Sequence, residues 1–433
     1  MRNVLYLYNA SQTYTNTVYE YLASFAAYAK HRVSYCHLDE FTDFGIDLSQ
    51  FDVVVLHYSV RLPLDQISAS AAQALAGFRG LKALFIQDEY DHTRKAWDWI
   101  GRLGVQLVFT VVPEAGIKRV YPPDRFPNTR FVSILTGYAP EELDAKSTSL
   151  PPSQRPLVIG YRGRPLSIRY GQMALDKVRI GEMVKGYCDK HRIQTDIAWS
   201  EESRIYGPRW YRFIRSCRAT LGVESGSNVF DWDGTLDAKL AEFRRQHPGV
   251  SDRTVYETVI KPQEIEGLMN QVSPRVFESI SARSVLVMFE GGYSGVLQPG
   301  EHFIALRKDG SNLTEVIQLL HDAAYVDHMA ERAFQHVIAS GSYAYRKFVE
   351  LIDAQFQQSL DAMQWSPSIA VLTEPVGRAS ALMTAHPVRA NPPEVSSYAV
   401  AHTMKLAAYA WRMLPAFVRS RLKGPVHRLL GRV

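Results

Sequence analysis

The chain has 433 residues, of which 46% are hydrophobic and 21% are charged. This composition indicates a core-forming globular protein and excludes a disordered or fibrous one, and the length suffices for two or three domains. Three scattered cysteines are too few for a disulfide framework or a metal knuckle. No apolar run approaches the roughly 18 residues of a membrane span, so we expect a cytoplasmic protein.

The net charge of +5 is unevenly distributed along the chain. No acidic residue follows Glu394, and the last 29 residues contain seven cations, so the first 404 residues carry a net charge of −2. A near-neutral body argues against a nucleic-acid partner. In the tail, Trp411 and Phe417 alternate with arginines, which predicts binding of residues 405–433 to an anionic membrane surface; a packed or disordered basic tail is the alternative. The protein would then lie peripherally on the inner face of the membrane.

Short apolar runs alternate with amphipathic stretches over residues 1–140. Helices are predicted near 15–30 and 67–78, and the apolar runs of strand length are 4–8, 33–37, 53–57, 83–87, 107–111 and 131–135. The alternation predicts a parallel sheet with crossover helices, and therefore a Rossmann-like domain at 1–140.

A stretch rich in proline, serine and glutamate at 141–156 predicts a linker, after which a second alternating series begins. Its strands are predicted at 157–160, 196–199, 219–223, 285–289 and 303–306, with helices near 171–191, 274–282 and 311–323. We predict an α/β fold of two doubly wound, Rossmann-like domains. The second domain is expected at 157–375, and a helical C-terminal extension with the basic tail at 376–433.

A helix, a buried strand and a glycine-rich loop follow one another between residues 273 and 295. Ser273 and Pro274 suit the start of a helix, which carries Glu278. The loop residues that could approach a ligand are Glu290, Gly291, Tyr293, Ser294 and Gly295. Such an arrangement can hold a ribose with the carboxylate and a ligand with backbone amides, although an ordinary surface glutamate is the alternative.

Two arginines follow the first strand of the second domain. Arg164 and Arg169 precede a helix that begins near Gly171, and guanidinium groups beside a helix N-terminus can bind a diphosphate. A solvated basic loop is the alternative. The loop after the strand at 219–223 begins with Glu224, Ser225 and Gly226, which could bind a sugar or a phosphate or could form a plain turn.

These two stretches resemble motifs of the GT-B glycosyltransferases of the group-1 (glycogen-synthase-like, family 4-like) assemblage. Glu278 lies on the pattern E-x-x-x-x-G-x-P-V, with Arg283 and Ser284 where glycine and proline are usual. Arg164 and Arg169 lie on a pattern similar to G-R-x-x-x-x-K-G, with arginine in place of lysine and one extra residue before the glycine.

The resemblance implies a GT-B fold in which two Rossmann-like domains face a cleft. It implies that Glu278 binds the ribose of a nucleotide-sugar donor and that Arg164 and Arg169 bind its diphosphate. Arg164 would also be catalytic, because charge develops on the departing diphosphate. The implied activity is sugar transfer to a hydroxyl of a glycan or lipid-linked saccharide, without a metal ion or other cofactor.

On the acceptor side, three polar residues follow the strand predicted at 83–87. Asp88, Glu89 and His92 stand where a general base or a hydroxyl-binding group belongs. In an inverting enzyme one of them would deprotonate the acceptor. In a retaining enzyme the leaving phosphate could do so, and these residues would only bind the acceptor.

Two other functions remain open from the sequence. The stretch containing Asp231 and Asp233 resembles the nucleophile loop of haloacid-dehalogenase phosphatases, which use two aspartates and Mg²⁺, but a loop precedes it here where those enzymes have a long strand. A non-catalytic GT-B module that binds a nucleotide or glycan is the third hypothesis, favoured by the departures at Arg169, Arg283 and Ser284.

Overall fold

The fold is described from a computed structural model that covers residues 1–12, 16–139 and 150–366. Most of the predicted linker at 141–156 and the whole extension at 376–433, including the basic tail, lie outside these residues. Among the helices of the described ranges, none combines the length and the apolar character needed to cross a bilayer.

The first domain is built on a parallel sheet of six described strands. They are β1 (Asn3–Tyr8), β2 (Arg32–His37), β3 (Val53–Leu56), β4 (Leu81–Ile86), β5 (Leu107–Thr110) and β6 (Arg130–Ser133). Their order in the sheet is β2-β1-β3-β4-β5-β6. The helices are α1 (Asn16–Tyr28), α2 (Ala69–Gly77), α3 (Thr93–Leu103) and α4 (Glu114–Val120).

The second domain has a parallel sheet of five described strands. They are β7 (Leu157–Arg162), β8 (Thr195–Ala198), β9 (Cys217–Gly222), β10 (Val285–Phe289) and β11 (Ile304–Leu306), in the order β11-β10-β9-β7-β8. The helices are α5 (Gln172–His191), α6 (Pro208–Ser216), α7 (Leu236–Gln246), α8 (Asp252–Val255), α9 (Pro274–Ser281), α10 (Leu313–His321), α11 (Ala323–Ala333) and α12 (Tyr345–Ala362). The predicted α/β fold with two Rossmann-like domains is confirmed.

The strand order creates a switch point in each sheet. In the second sheet the chain passes from β7 to β8 on one side and from β9 to β10 on the other, although β7 and β9 are neighbours. The loops that follow β7 and β9 diverge there, and such a crevice outside the carboxyl ends of parallel strands is where open α/β sheets bind ligands.

The last described helix returns to the first domain. Phe348 and Ile352 of α12 are buried in the same core as β1 and β4, and the indole N–H of Trp365 donates a 2.9 Å hydrogen bond to Asp52 Oδ1. The predicted donor domain at 157–375 therefore includes a helix whose apolar face packs in the first core.

Residues 224–272, which connect β9 to α9, form a bridging segment that docks on the first domain. Backbone N–H groups of Asp231 and Thr93 donate to the carbonyls of Tyr90 and Asp231, at 2.8 and 3.2 Å. Phe230 of this segment is buried in the first core. This docking covers part of the edge at which β4 ends.

Candidate functional site

A cavity of about 240 Å³ opens at the switch point of the second sheet. Within the described residues its wall carries five cationic side chains and no carboxylate; the cations are Arg162, Arg164, Lys177, Arg204 and Arg275. Aromatic and polar groups complete the wall, among them Tyr161, Trp210, Thr220, Ser225 and Ser279. A concave, strongly cationic wall at this place in the fold suits an anionic ligand.

Two of the five cations already have acidic partners that are not part of the cavity wall. Arg162 donates a 2.7 Å hydrogen bond to Asp196 on β8, and Arg204 donates a 2.6 Å hydrogen bond to Glu201. Arg164 is exposed and forms no hydrogen bond or ion pair within the described part of the chain. Its charge is therefore available to a ligand.

Lys177 on α5 extends the cationic wall inward. Its Nζ lies 3.3 Å from the hydroxyl of Ser225. Burial, together with the nearby guanidinium groups of Arg275 and Arg164, lowers the pKa of Lys177 to about 8. Crowded cations of this kind lower one another's affinity for protons, and an anion between them relieves the repulsion.

Glu278 lies beside the cavity, behind one of its wall residues. Its Oε2 accepts a 2.7 Å hydrogen bond from the indole N–H of Trp210, which lines the cavity. Burial raises the pKa of Glu278, while the Trp210 hydrogen bond and the charge of Arg275 act in the opposite direction. The carboxylate predicted to bind a ribose is thus one side chain away from the cationic wall.

Glu224 holds the glycine-rich loop. Its Oε1 accepts the backbone N–H groups of Gly292 and Tyr293 at 3.0 and 2.9 Å, and its Oε2 accepts from the side chain of Asn270. A Cβ on Gly291 would lie 2.8 Å from Glu224 Cδ, so a larger residue there would displace the carboxylate. The loop amides expected at a ligand are occupied by this carboxylate.

The remaining loop residues predicted to bind a donor lie outside the cavity wall. Glu224, Glu290 and Tyr293 line a separate, smaller cavity. Ser294 has a positive φ and bonds to the backbone N–H of Val272, and Gly226 has a φ of 100° beside the carbonyl of Met269. Of the predicted donor residues, the structure brings only Arg164 and Ser225 into the cavity wall.

Arg169 points toward the first domain. Its guanidinium forms an ion pair with Asp91 and lies 3.5 Å from carboxylate oxygens of Asp231 and Asp237. It also stacks on the ring of Tyr170, 4.4 Å from the centroid. The local spacing that resembled a diphosphate motif places only Arg164 at the cavity.

The three predicted acceptor residues lie in different surroundings. Asp88 is 42% exposed and accepts a 2.8 Å hydrogen bond from Arg61. Glu89 is completely buried, where it accepts hydrogen bonds from Thr110 and from the backbone N–H of Val111, and burial raises its pKa to about 8. His92 precedes α3 with a positive φ, and its ring packs so closely on Gly234 that a Cβ there would collide with it.

Asp231 and Asp233, the pair considered for a phosphatase, have separate partners. Asp231 Oδ1 accepts the backbone N–H groups of Thr235 and Leu236 at the start of α7. Asp233 pairs with Arg94 of the first domain. Asp233 thus helps to dock the bridging segment, whereas Asp231 stabilises the start of α7 within that segment.

Elsewhere in the described residues, one cluster has the composition of a metal site. Oxygen and nitrogen atoms of Glu301, His302 and His336 lie within 4.8 Å of one another. His302 uses Nδ1 to accept the backbone N–H of Gln298, which directs its remaining N–H to His336 at 3.1 Å. Both imidazole nitrogens of His302 are thus occupied, so the cluster does not fit a metal ion in this arrangement.

No protein-family model and no curated protein matches the sequence. The solved structures to which the chain is similar include an alpha-glucosyltransferase in complex with UDP and a 13-mer DNA containing an HMU base, with 8% identity and a TM-score of 0.49 over 82% of this chain and 99% of that chain. Anabaena HepE in complex with UDP and glucose has 14% identity and a TM-score of 0.41 over 84% and 100%. T4 phage BGT in complex with its UDP-glucose substrate has 10% identity and a TM-score of 0.36 over 84% and 98%. At such identities no site residue of these proteins is matched to a residue of this chain.

Proposed function

We propose that the protein is a glycosyltransferase that transfers a sugar from a nucleotide-sugar donor to a hydroxyl of a glycan or lipid-linked saccharide. The observation that carries the proposal is the cavity with five cationic side chains and no carboxylate at the switch point of the second sheet. A nucleoside diphosphate suits such a wall. Its two phosphates can bind the cations, and its base and sugar rings can pack on the aromatic and apolar side chains.

Three cations would meet the diphosphate. Arg162 and Arg204 are neutralised by their acidic partners, which leaves Arg164, Lys177 and Arg275. The nearby carboxylate of Glu278 offsets part of the positive charge of Arg275. The net charge offered to the ligand is close to the charge of a diphosphate.

In the transfer, the acceptor oxygen forms a bond to the anomeric carbon of the sugar while the bond from that carbon to the diphosphate breaks. Negative charge develops on the departing diphosphate, and Arg164 and Lys177 would stabilise it. The proton of the acceptor hydroxyl passes to a carboxylate or to the leaving phosphate. Because the side chains supply the positive charge, we expect transfer to proceed in the presence of a chelator.

Glu278 and Ser225 are proposed as donor-binding residues, in accord with the resemblance to the group-1 glycosyltransferases. Ser225 lines the cavity, and Glu278 is separated from it by Trp210. On the acceptor side we propose Asp88, because its carboxylate is exposed whereas Glu89 is buried. Glu224 would act indirectly by holding the loop at 291–293.

We further propose that residues 405–433 bind an anionic membrane surface and so bring the protein to a lipid-linked acceptor. The proposal rests on the seven cations of this tail and on its interleaved apolar residues.

A thermal-shift screen against UDP-, GDP- and CMP-sugars tests the donor proposal. One sugar nucleotide should stabilise the protein, by about 2.7 kcal/mol at 100 times its dissociation constant. Arg164→Ala should remove at least about half of this stabilisation at the same ligand concentration, and the exposed Arg119→Ala on α4 is the matched control. Stabilisation by none of the donors, or equal stabilisation of wild type and Arg164→Ala, would contradict the proposal.

A further inference from the structure

Trp210 joins the cationic cavity to the buried carboxylate of Glu278. Its ring is part of the cavity wall, and its indole N–H donates to Glu278 Oε2 at 2.7 Å. The guanidinium carbon of Arg275 lies 5.2 Å from the centroid of the same ring. Arg275 and Glu278 are three residues apart on α9, so one indole contacts two successive side chains of one helix face.

The position of Trp210 is fixed by the start of α6. Gly207 precedes the helix with a φ of 58°, a conformation that favours glycine, and Pro208 is the first helical residue. Trp210 lies in the first turn, and Phe213 and Ile214 anchor the helix from their buried positions. Both follow Trp210 by three or four residues and share its helix face, and the rings of Trp210 and Phe213 lie 5.7 Å apart, so the indole is held in the cavity wall by a packed helix face.

The two oxygens of Glu278 are not equivalent. Oε2 accepts the indole N–H, whereas Oε1 accepts no hydrogen bond within the described part of the chain. A glutamate side chain has three rotatable bonds, and fixing them costs free energy that would otherwise weaken ligand binding. A fixed donor on one oxygen orients the other before the ligand arrives.

We propose that Trp210 is a positioning residue whose indole N–H holds the Glu278 carboxylate so that Oε1 receives the ribose hydroxyls of the donor. This inference rests on the proposed function, because it assumes a nucleotide sugar whose diphosphate occupies the cavity. Trp210 itself would act through Glu278, and its ring would serve as the wall between the diphosphate and the ribose.

The charge state of Glu278 is set by groups from several elements. Arg275 on α9 and the indole on α6 favour the ionised form, and burial favours the neutral form. The charge of Glu278 raises the pKa of Glu20 on α1, and the charges of Glu20 and Glu278 both raise the pKa of Tyr345 on α12. Removal of the indole donor should raise the pKa of Glu278, so that the carboxylate becomes protonated at a higher pH.

Trp210→Phe tests the inference, because phenylalanine keeps an aromatic ring near Arg275 but lacks the N–H donor and the second ring of the indole. We expect the dissociation constant of the donor identified by the screen to rise by about tenfold, the loss typical of a hydrogen bond to a charged group. Donor affinity should fall at low pH as Glu278 becomes protonated. In Trp210→Phe this fall should occur at a higher pH than in wild type, which calorimetry from pH 5.5 to 8.5 measures. In a Glu278→Gln background, Trp210→Phe should weaken binding less than it does in wild type and should no longer shift the pH dependence of binding.

Trp99→Phe is the matched control, since the indole of Trp99 donates to Asp65 in the first domain at 3.0 Å, away from the cavity. It should change neither the affinity nor the pH dependence of binding. If wild type binds a donor and Trp210→Phe binds it with the same affinity and the same pH dependence, the positioning role is wrong. If wild type binds no nucleotide sugar, the proposed function fails, and the positioning role fails with it.

A measurement without a donor separates the contact from the function. In protein labelled with ¹⁵N-tryptophan, the indole resonance that Trp210→Phe removes should titrate with pH, and Glu278→Gln should abolish that titration. If the pH titration of this resonance is the same in Glu278→Gln as in wild type, the hydrogen bond on which the inference depends is wrong.

Discussion

The guanidinium of Arg169 in the second domain forms an ion pair with the carboxylate of Asp91 in the first. Both side chains are nearly buried, with 11% and 7% of their surface exposed. The pair lies where the bridging segment docks, and Asp231 of that segment contributes a second carboxylate 3.5 Å from Arg169. Arg169 therefore links the two domains.

Replacement of Arg169 should affect stability more than donor binding. Arg169→Ala leaves Asp91 buried beside fewer cations, and we expect the free energy of unfolding to fall by about 3 kcal/mol. Urea denaturation measures this change. Arg94→Ala, which breaks the exposed pair with Asp233, is the control and should cost less than about 1 kcal/mol. A variant of Arg169 that is fully stable but has lost donor affinity would place Arg169 at the donor instead.

Donor affinity should fall as the pH rises through about 8. Lys177 has a pKa lowered to about 8, and a bound diphosphate raises that pKa because it favours the charged amine. Binding should therefore take up protons above pH 8, which calorimetry in buffers of different ionisation enthalpy detects. Lys177→Gln should remove the proton uptake, and Lys185→Gln, on the exposed side of α5, should not. Proton uptake that persists in Lys177→Gln would contradict the assignment.

The fold was predictable because buried parallel strands are short apolar runs. The predictions at 53–57 and 107–111 match β3 and β5 within one residue, and α5 and α9 begin within one residue of their predicted starts. Each of these signals is local in the sequence. The bridging segment was not predicted, since its docking on Tyr90 and Thr93 depends on backbone pairing between distant residues.

The candidate site was predictable only in part. Arg164 and Ser225 follow strand ends, and topology alone brings them to the cavity. Lys177 lies on α5, Arg204 on the loop before α6 and Arg275 on α9, and no spacing in the sequence shows that they converge. From their spacing, Arg164 and Arg169 were both predicted to bind the diphosphate. In the structure Arg169 instead forms an ion pair with Asp91 of the first domain.

Glu89 should influence the pH dependence of stability without being needed for transfer. Its pKa is about 8 in the folded chain against 4.5 for an ordinary glutamate, so its stabilising effect is complete below pH 4.5 and is lost as the pH rises through 8. The thermal midpoint of Glu89→Gln, relative to wild type, should therefore rise between pH 5 and pH 8. Glu114→Gln on α4 is the exposed control. A well-folded Glu89→Gln that has lost turnover would make Glu89 a catalytic residue.

Deletion of residues 405–433 should release the protein from anionic liposomes. Each Lys or Arg near such a surface contributes about 1 kcal/mol, so the seven cations of the tail would dominate binding. Co-sedimentation with anionic and neutral vesicles measures the effect, and replacement of Arg419, Arg421 and Lys423 by glutamine should weaken it in part. The affinity for a soluble donor should not change. Liposome binding that survives the deletion would refute the role of the tail.

The central claim is that the cationic cavity binds the diphosphate of a nucleotide sugar. Calorimetric titration with the donor found by the screen, and with the corresponding nucleoside without phosphates, tests it most directly. We predict that wild type binds the sugar nucleotide far more tightly than the nucleoside, and that Arg164→Ala weakens binding of the sugar nucleotide at least about tenfold. Equal affinities for nucleoside and sugar nucleotide, or an unchanged affinity in Arg164→Ala, would contradict the claim.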